Sequence, residues 1–189
     1  MPTHTLSDRT VEHADSSAGF PSRPFPLVHT SSGIAVTTRR GEEGDFPAVA
    51  ALHARCSAES LYSRYMSGRR ELRLAEWRHL TDPAAGWTWV SAPADQPQLI
   101  IAVTHILYSD GADRSRADLG ILVEDGWQGQ RLGSELVRSA LSRTGSEELR
   151  EVVVMTNGGN VRMIRIARAM GAVVPRTFSF VIEMTLSPK

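Results

Sequence analysis

The stretch "GILVEDGWQGQRLGSELVRSAL", Gly120 to Leu141, limits the possible folds more than any other part of the chain. An aliphatic run ends in a turn rich in Gly and Gln, and the turn passes straight into a helical period, with Leu132, Leu136, Val137, Ala140 and Leu141 on one face. A strand that turns this sharply into a helix leaves several backbone N–H groups pointing outward at the helix start. With the helix dipole added, those donors form an anion cradle. The main-chain donors from Gln128 through Gly129, Gln130, Arg131, Leu132 and Gly133 to Ser134 are therefore candidate phosphate ligands. Gly129 and Gly133 keep side chains out of the approach, and Arg131 adds a positive charge. A P-loop would need a lysine beside the last glycine, and a dinucleotide fingerprint would need Gly-x-Gly-x-x-Gly; neither is here. The cradle reads as built to hold a diphosphate rather than to break one.

The rest of the pattern frames this unit. "GIAVTTRR" reads as a strand, followed by a helix with Asp45 as N-cap and Pro47 in its first turn, running to about Arg55. Ser57 caps a second helix through "AESLYSRYM", and "LRLAEWRHL" supplies a third, with Leu72, Leu74 or Ala75, and Leu80 apolar. Strands follow at "GWTWVSA", "QLIIAVTHILYS" and "ADLGILV". After the Gly-rich turn and its helix come the strand "REVVVMT" and a helix with Met163, Ile166, Ala167 and Met170 on one face, stopped by Gly171. Phe178, Phe180, Ile182, Met184 and Leu186 then alternate as in a half-buried strand. Strands joined through helices are usually parallel neighbours. The expectation is an α/β (α+β) domain whose mixed sheet holds a parallel pair in its C-terminal half. Residues 1–32, rich in Ser, Thr and Pro, read as a mobile N-terminal arm, although Phe20, Phe25 and Leu27 could dock on a neighbour. Residues 33–189 read as one domain.

Composition narrows the function classes. The 21 basic and 21 acidic residues balance, so no global field draws the chain to nucleic acid or to anionic lipid. The single cysteine, Cys56, excludes an internal disulfide, and no Cys and His cluster has zinc spacing, so no metal is expected. Apolar runs fall well short of the roughly 18 residues of a membrane span, and no secretory signal pattern opens the chain. These readings point to a cytoplasmic protein without membrane partners.

Gln128, Arg131 and Gly133 give the turn its resemblance to the GCN5-related N-acetyltransferase (GNAT) superfamily, whose cofactor motif is Gln or Arg, two residues, Gly, one residue, then Gly or Ala. Arg131 departs from it by standing where the family has its first glycine. The resemblance covers roughly Gly33 to Leu186 in element order. It implies a mostly antiparallel mixed sheet with a splayed parallel pair of strands, helices on both faces, and acetyl-CoA as co-substrate. It also implies that Ile121 and Val123 pair with the pantetheine arm as an added strand would. Asn160 fits the family's cofactor-contacting helix-start Asn, with Asn157 as the second candidate. "SAESLYSRYMS", "ADLGILVEDGWQGQRLGSEL" and "NVRMIRIARAMGA" together look like the acetyltransferase domain of bacterial protein-lysine acetyltransferases. In those enzymes an acidic residue often starts the strand before the turn, as Asp118 does here.

Acetyl transfer to an amine needs a neutral amine, a polarised thioester carbonyl and a proton for the departing thiolate. Asp118 is the candidate general base, an assignment that relies on burial between strands to make an aspartate basic enough. The Val123 backbone N–H is the candidate oxyanion donor. The family's thiolate-protonating Tyr is replaced by Ala167, which leaves Tyr108 or water as the acid. His105, in an apolar strand, reads first as a core histidine and second as a base. Glu124 and Asp125 read as solvated or capping charges, and Arg69, Arg70 and Arg73 as a solvated helix end or a steering patch. Trp77, Trp87, Trp89 and Cys56 read as packing. The resulting function is N-acetyl transfer to a primary amine, a protein lysine or a small molecule; the alternative is a non-catalytic acyl-CoA sensor or interaction module. Homodimerisation through the sheet or the last strands is compatible with both.

Overall fold

A computed structural model of the chain describes residues 25–110, 113–144, 148–175 and 180–188. Seven strands form one sheet in chain order: β1 (Val28–His29), β2 (Ala35–Arg40), β3 (Gly86–Pro93), β4 (Ala102–Tyr108), β5 (Arg116–Val123), β6 (Glu151–Asn157) and β7 (Val181–Leu186). Every neighbouring pair is antiparallel except β5 and β6. That parallel pair is joined through α4 (Leu132–Leu141), as a crossover requires. The remaining helices are α1 (Phe46–Arg55), α2 (Ala58–Tyr65), α3 (Leu74–Thr81) and α5 (Val161–Ala169).

The sheet separates two apolar layers. On one face Val90, Val103 and Leu122 meet Val49 and Leu52 of α1, Leu61 of α2 and Trp77 of α3. On the other, Trp87, Leu119, Val152 and Val154 meet Val137 and Ala140 of α4 and Met163 and Ala167 of α5. Strand alternation sorts these sets, since successive side chains point to opposite faces. All eight residues of β3 are buried because the strand lies mid-sheet with both faces covered, so its sequence "GWTWVSAP" lacks the clean polar alternation of an edge.

Three expectations change at their edges. Residues 25–32, read as the end of an arm, lie on the domain: Val28 is buried and pairs with Val36, while the Phe25 ring meets Trp89 edge-on at 5.4 Å. The apolar residues there were too few and too interrupted by Pro to show a period. Leu72 is buried but precedes α3, which begins at Leu74. Phe180 stands before β7 and is 70% exposed, while Met184 and Leu186 carry the buried alternation; Phe20 and Phe178 lie outside the described residues.

The divergence of β5 from β6 is what creates a site. The two strands pair only at Arg116↔Glu151, Ala117↔Val152 and Asp118↔Val153. From Leu119 to Val123 they separate, and the gap opens toward the Gly-rich turn.

Candidate active site in the gap between two parallel strands

The antiparallel ladder sets which backbone groups face the gap. Glu124 N–H donates to the Ile101 carbonyl at 2.9 Å, and the register runs Ala102↔Val123 to Tyr108↔Ala117. Hydrogen-bonded and open pairs alternate along such a ladder, so Gly120 and Leu122 bond to β4 while Ile121 and Val123 turn their N–H groups toward β6. Pairing with β6 has ended by then. The gap widens into a cleft of about 830 Å³, walled by Leu119–Val123, Met155, α2, the start of α4, and α5. That volume is of the size that small-molecule and cofactor sites occupy.

At the mouth of the cleft the turn is strained and rich in donors. Gly129 has φ 74°, and Arg131, the N-cap of α4, has φ 66°, a left-handed conformation unusual for a residue with a Cβ. None of the N–H groups from Gly129 through Ser134 has an acceptor among the described residues. Six consecutive donors without acceptors at a helix start have the geometry in which an anion can be held. Gly129, Arg131, Gly133 and Ser134 line the cleft, and Arg162 and Arg165 of α5 line it opposite.

Side chains in the turn serve a different purpose from their backbone. Gln128 Nε2 donates to the Val123 carbonyl at 2.8 Å and to Ser60 Oγ at 2.9 Å, while its Oε1 accepts from Arg162 at 2.8 Å. Its amide thus ties β5, α2 and α5 together, and its own N–H is used within the turn by Asp125. Gln130 points away from the cleft: its Oε1 accepts from Ser32, its Nε2 donates to the Gly126 carbonyl, and its carbonyl accepts from Ser31 N–H. The Leu132 side chain is core, 1% exposed. Gln130 and Leu132 can therefore offer only their N–H groups, and Gln128 acts as a clasp.

Asp125 fastens α2 to the turn. Its carboxylate accepts from Ser57 N–H at 2.8 Å, Ser57 Oγ at 2.7 Å and Ser60 Oγ at 2.8 Å. Burial pushes this carboxyl up, but those hydrogen bonds outweigh it and hold it below its ordinary range. Ser57 in turn caps α2 by accepting from Ser60 N–H. Asp125 is thus not itself a cap but a brace on the Ser57 cap of α2.

At the inner end of the cleft stands a residue the sequence reading did not single out. Half-buried Arg64 sets its guanidinium beside Gly120, with Nη2 2.7 Å from His105 Nε2. A Cβ on Gly120 would sit 2.6 Å from Arg64 Nη2 and 2.3 Å from His105 Nε2, so only a bare backbone admits this packing. A glycine inside an otherwise aliphatic strand was the available signal. Burial, with Arg64 adding to it, holds His105 well below the ordinary imidazole value, so it is neutral and accepts from the guanidinium through Nε2. Its Nδ1 is buried without a partner among the described residues. His105 is thus a core residue that supports Arg64. Nearby, His53 bridges the Val49 carbonyl and the Tyr65 hydroxyl, and burial lowers its pKa too.

Several candidates fall elsewhere. Asp118 is exposed at the point where β5 and β6 rejoin, on the same sheet face as Gly120 but outside the cleft lining; the burial that its role as base called on is missing. Tyr108 lies at the far end of β4, its ring 5.4 Å from Trp87 and under Arg114, so it does not reach the cleft. Ala167 faces the core beside Met163 rather than the gap. Asn160 lines the cleft, with its Oδ1 capping Met163 N–H and its Nδ2 on Thr156 Oγ1, whereas Asn157 forms a turn with Gly159. Arg69 pairs with Glu76 instead of steering a substrate. Burial and the carboxylates of Asp125 and Glu124 push the Cys56 thiol up to about 12, which leaves it inert. Among the described residues no cluster of three or more His, Cys, Asp or Glu could hold a metal, and no helix is long and apolar enough to cross a membrane.

The family model of the acetyltransferase (GNAT) domain matches residues 36–173. The chain belongs to the GNAT acetyltransferase family. A search of curated proteins gave no match. Among solved structures, the GNAT domain of S. lividans PAT superposes with a TM-score of 0.75 at 19% identity, over 86% of this chain and 96% of that one. The putative acetyltransferase yncA from Salmonella typhimurium, solved with its cofactor acetyl-CoA, gives 0.64 at 17% identity over 82% and 94%. Spermidine N-acetyltransferase from Vibrio cholerae, solved with CoA and spermine, gives 0.62 at 16% over 81% and 95%. Identities this low bear on the GNAT fold; six of the seven strands, the helices on both faces and the one parallel pair lie where they were expected, and β1 is the addition.

Proposed function

We propose that this GNAT protein transfers an acyl group from an acyl-CoA thioester, acetyl-CoA in the simplest case, to a primary amine. The observation that carries the reading is the run of six acceptor-free N–H groups, Gly129 to Ser134, opening directly into the strand gap. A diphosphate fits the donors, with Arg131, Arg162 and Arg165 adding charge. The pantetheine arm then runs back along β5, using the Val123 and Ile121 backbone as a missing strand would. Because that arm has two amide units, the thioester comes to rest deeper than Val123, and Ile121 N–H is the better placed of the two to polarise its carbonyl. The amine nitrogen attacks the carbonyl carbon, the C–N bond forms as the C–S bond breaks, and the thiolate takes up a proton. The acceptor is a protein lysine or a small amine.

Asp118 stands two strand positions from Gly120 on the same face, about 7 Å along β5. Exposed and outside the cleft lining, it lacks the burial that a strong base needs, and the part left to it is to pass the amine proton to solvent through a water. The experiment is titration of the full chain with acetyl-CoA by calorimetry, followed by CoA release with a panel of amines and mass spectrometry of acetylated lysate proteins. Binding together with acyl gain supports the proposal; an empty turn ends it. Asp118→Asn with unchanged turnover would remove that residue from the mechanism.

A second reading draws on Tyr108 and Ala167, both turned away from the cleft: a cofactor-binding module without catalysis. It expects acetyl-CoA binding of the same strength with no CoA release for any amine or extract.

A further inference from the structure

One cation in the cleft stands without a counter-charge. Arg64 lines the inner end of the cleft, and no carboxylate forms an ion pair with it among the described residues. Its neighbours do not neutralise it. His105 is uncharged and takes one of its N–H groups. The Tyr65 ring lies 4.9 Å from the Arg64 guanidinium carbon and 5.0 Å from that of Arg69. Arg69 is a second cation, already engaged with Glu76. The cleft lining holds one acidic residue, Glu59, against Arg64, Arg131, Arg162 and Arg165. A half-buried charge lacking its partner is costly to keep, and an arginine does not escape by giving up its proton.

The surroundings are shaped to hold the guanidinium there. Gly120 leaves bare backbone under it, and His105 fixes its edge from below. That orientation leaves the remaining N–H groups of the fork for a ligand. The position matters as well: the gap closes at Asp118↔Val153, so whatever enters along β5 from the phosphate turn ends beside Leu119 and Gly120. Under the acyl-CoA reading, on which this inference rests, that is where the acyl group and the amine meet.

We infer that Arg64 is a carboxylate receptor, so that one of the two substrates carries a carboxylate close to the carbonyl being transferred. Two sources share this chemistry. The carboxylate is the far end of a dicarboxylic acyl chain, as in succinyl-CoA, or it is the α-carboxylate of an amino-acid acceptor. In both, the carboxylate is bound and not consumed; the C–S bond still breaks and the amide still forms at the other end. Arg64 would choose the substrate, while the turn holds the cofactor common to all donors.

The full chain is titrated by calorimetry with CoA, acetyl-CoA and succinyl-CoA, and CoA release from acetyl-CoA is compared for free lysine and its decarboxylated counterpart, cadaverine. A receptor for the acyl chain makes succinyl-CoA bind about tenfold or more tighter than acetyl-CoA. A receptor for the acceptor leaves the two thioesters equal and makes lysine the faster amine through a lower KM. Arg64→Met abolishes whichever preference exists and leaves CoA affinity unchanged, with a melt to confirm folding. Arg64→Lys retains part of it, because the charge stays and the fork is lost. Discrimination by neither thioester nor amine in the wild-type chain, with CoA bound, overturns the carboxylate assignment alone. Failure of CoA itself to bind overturns the acyl-CoA reading beneath it.

Discussion

Arg131 holds a left-handed backbone at φ 66° where a glycine would sit without strain. The strain costs about 1 kcal/mol. Arg131→Gly should therefore raise the unfolding midpoint in urea by a corresponding amount, while acetyl-CoA binding weakens if the guanidinium meets phosphate; calorimetry separates the two effects. The buried histidines make an independent expectation. His53 and His105 have folded pKa values below the ordinary 6.5, so the unfolded chain binds protons that the native chain refuses. Stability is then full above about pH 6.5 and falls as the pH drops below it. Urea midpoints at pH 7.5 and 5.5 check this, and His105→Gln should flatten part of the slope. Of the single residues, those that shape the backbone were the legible ones: Gly129 and Gly133 marked the turn whose N–H groups stand without acceptors among the described residues. Arg64 was not legible, because its role comes from a glycine 56 positions later on another element.

Elements come together at the turn, and Asp125 is where the second helix is stitched to it. Asp125→Ala removes three hydrogen bonds from the start of α2, and the loss should be about 1–3 kcal/mol of stability. Asp125→Asn should lose less, since an amide oxygen still accepts. The sign with pH follows from the lowered carboxyl: its contribution is complete above the ordinary aspartate range and is lost as the pH falls through the folded value. Gln128→Leu keeps the size of the side chain and cuts the clasp between β5, α2 and α5. It should leave the melt within a few degrees yet raise the acetyl-CoA Kd, because the gap loses its fixed width. The helices and strands themselves were readable from period and caps, down to Ser57 at the head of α2. What could not be read was which face each side chain of the turn would take, since Gln128 and Gln130 have the same chemistry and opposite directions. That is decided by partners on α2, α5 and residues 31–32, far away in sequence.

For the molecule as a whole, the sheet order follows the chain order, so each neighbour was inferable once strands were placed. The limit of pairing between β5 and β6 was not inferable, because Leu119 to Val123 on one strand and Val154 and Met155 on the other keep strand-forming apolar character past Asp118 and Val153. The N-terminal boundary was also misplaced: deleting residues 1–32 should destabilise the domain by about 2 kcal/mol or more, since it strips Val28 from the core and an edge from β2. Urea unfolding of the shortened chain measures it. The same segment reaches the Gly-rich turn, where Ser31 and Ser32 hold Gln130. A probe near those serines would accordingly sense ligand at the turn from outside the cleft. Leu27 is 52% exposed, and the chain's one cysteine is buried and sluggish, so a dye attached through Leu27→Cys gives a single-label optical reporter of occupancy that needs no turnover at all.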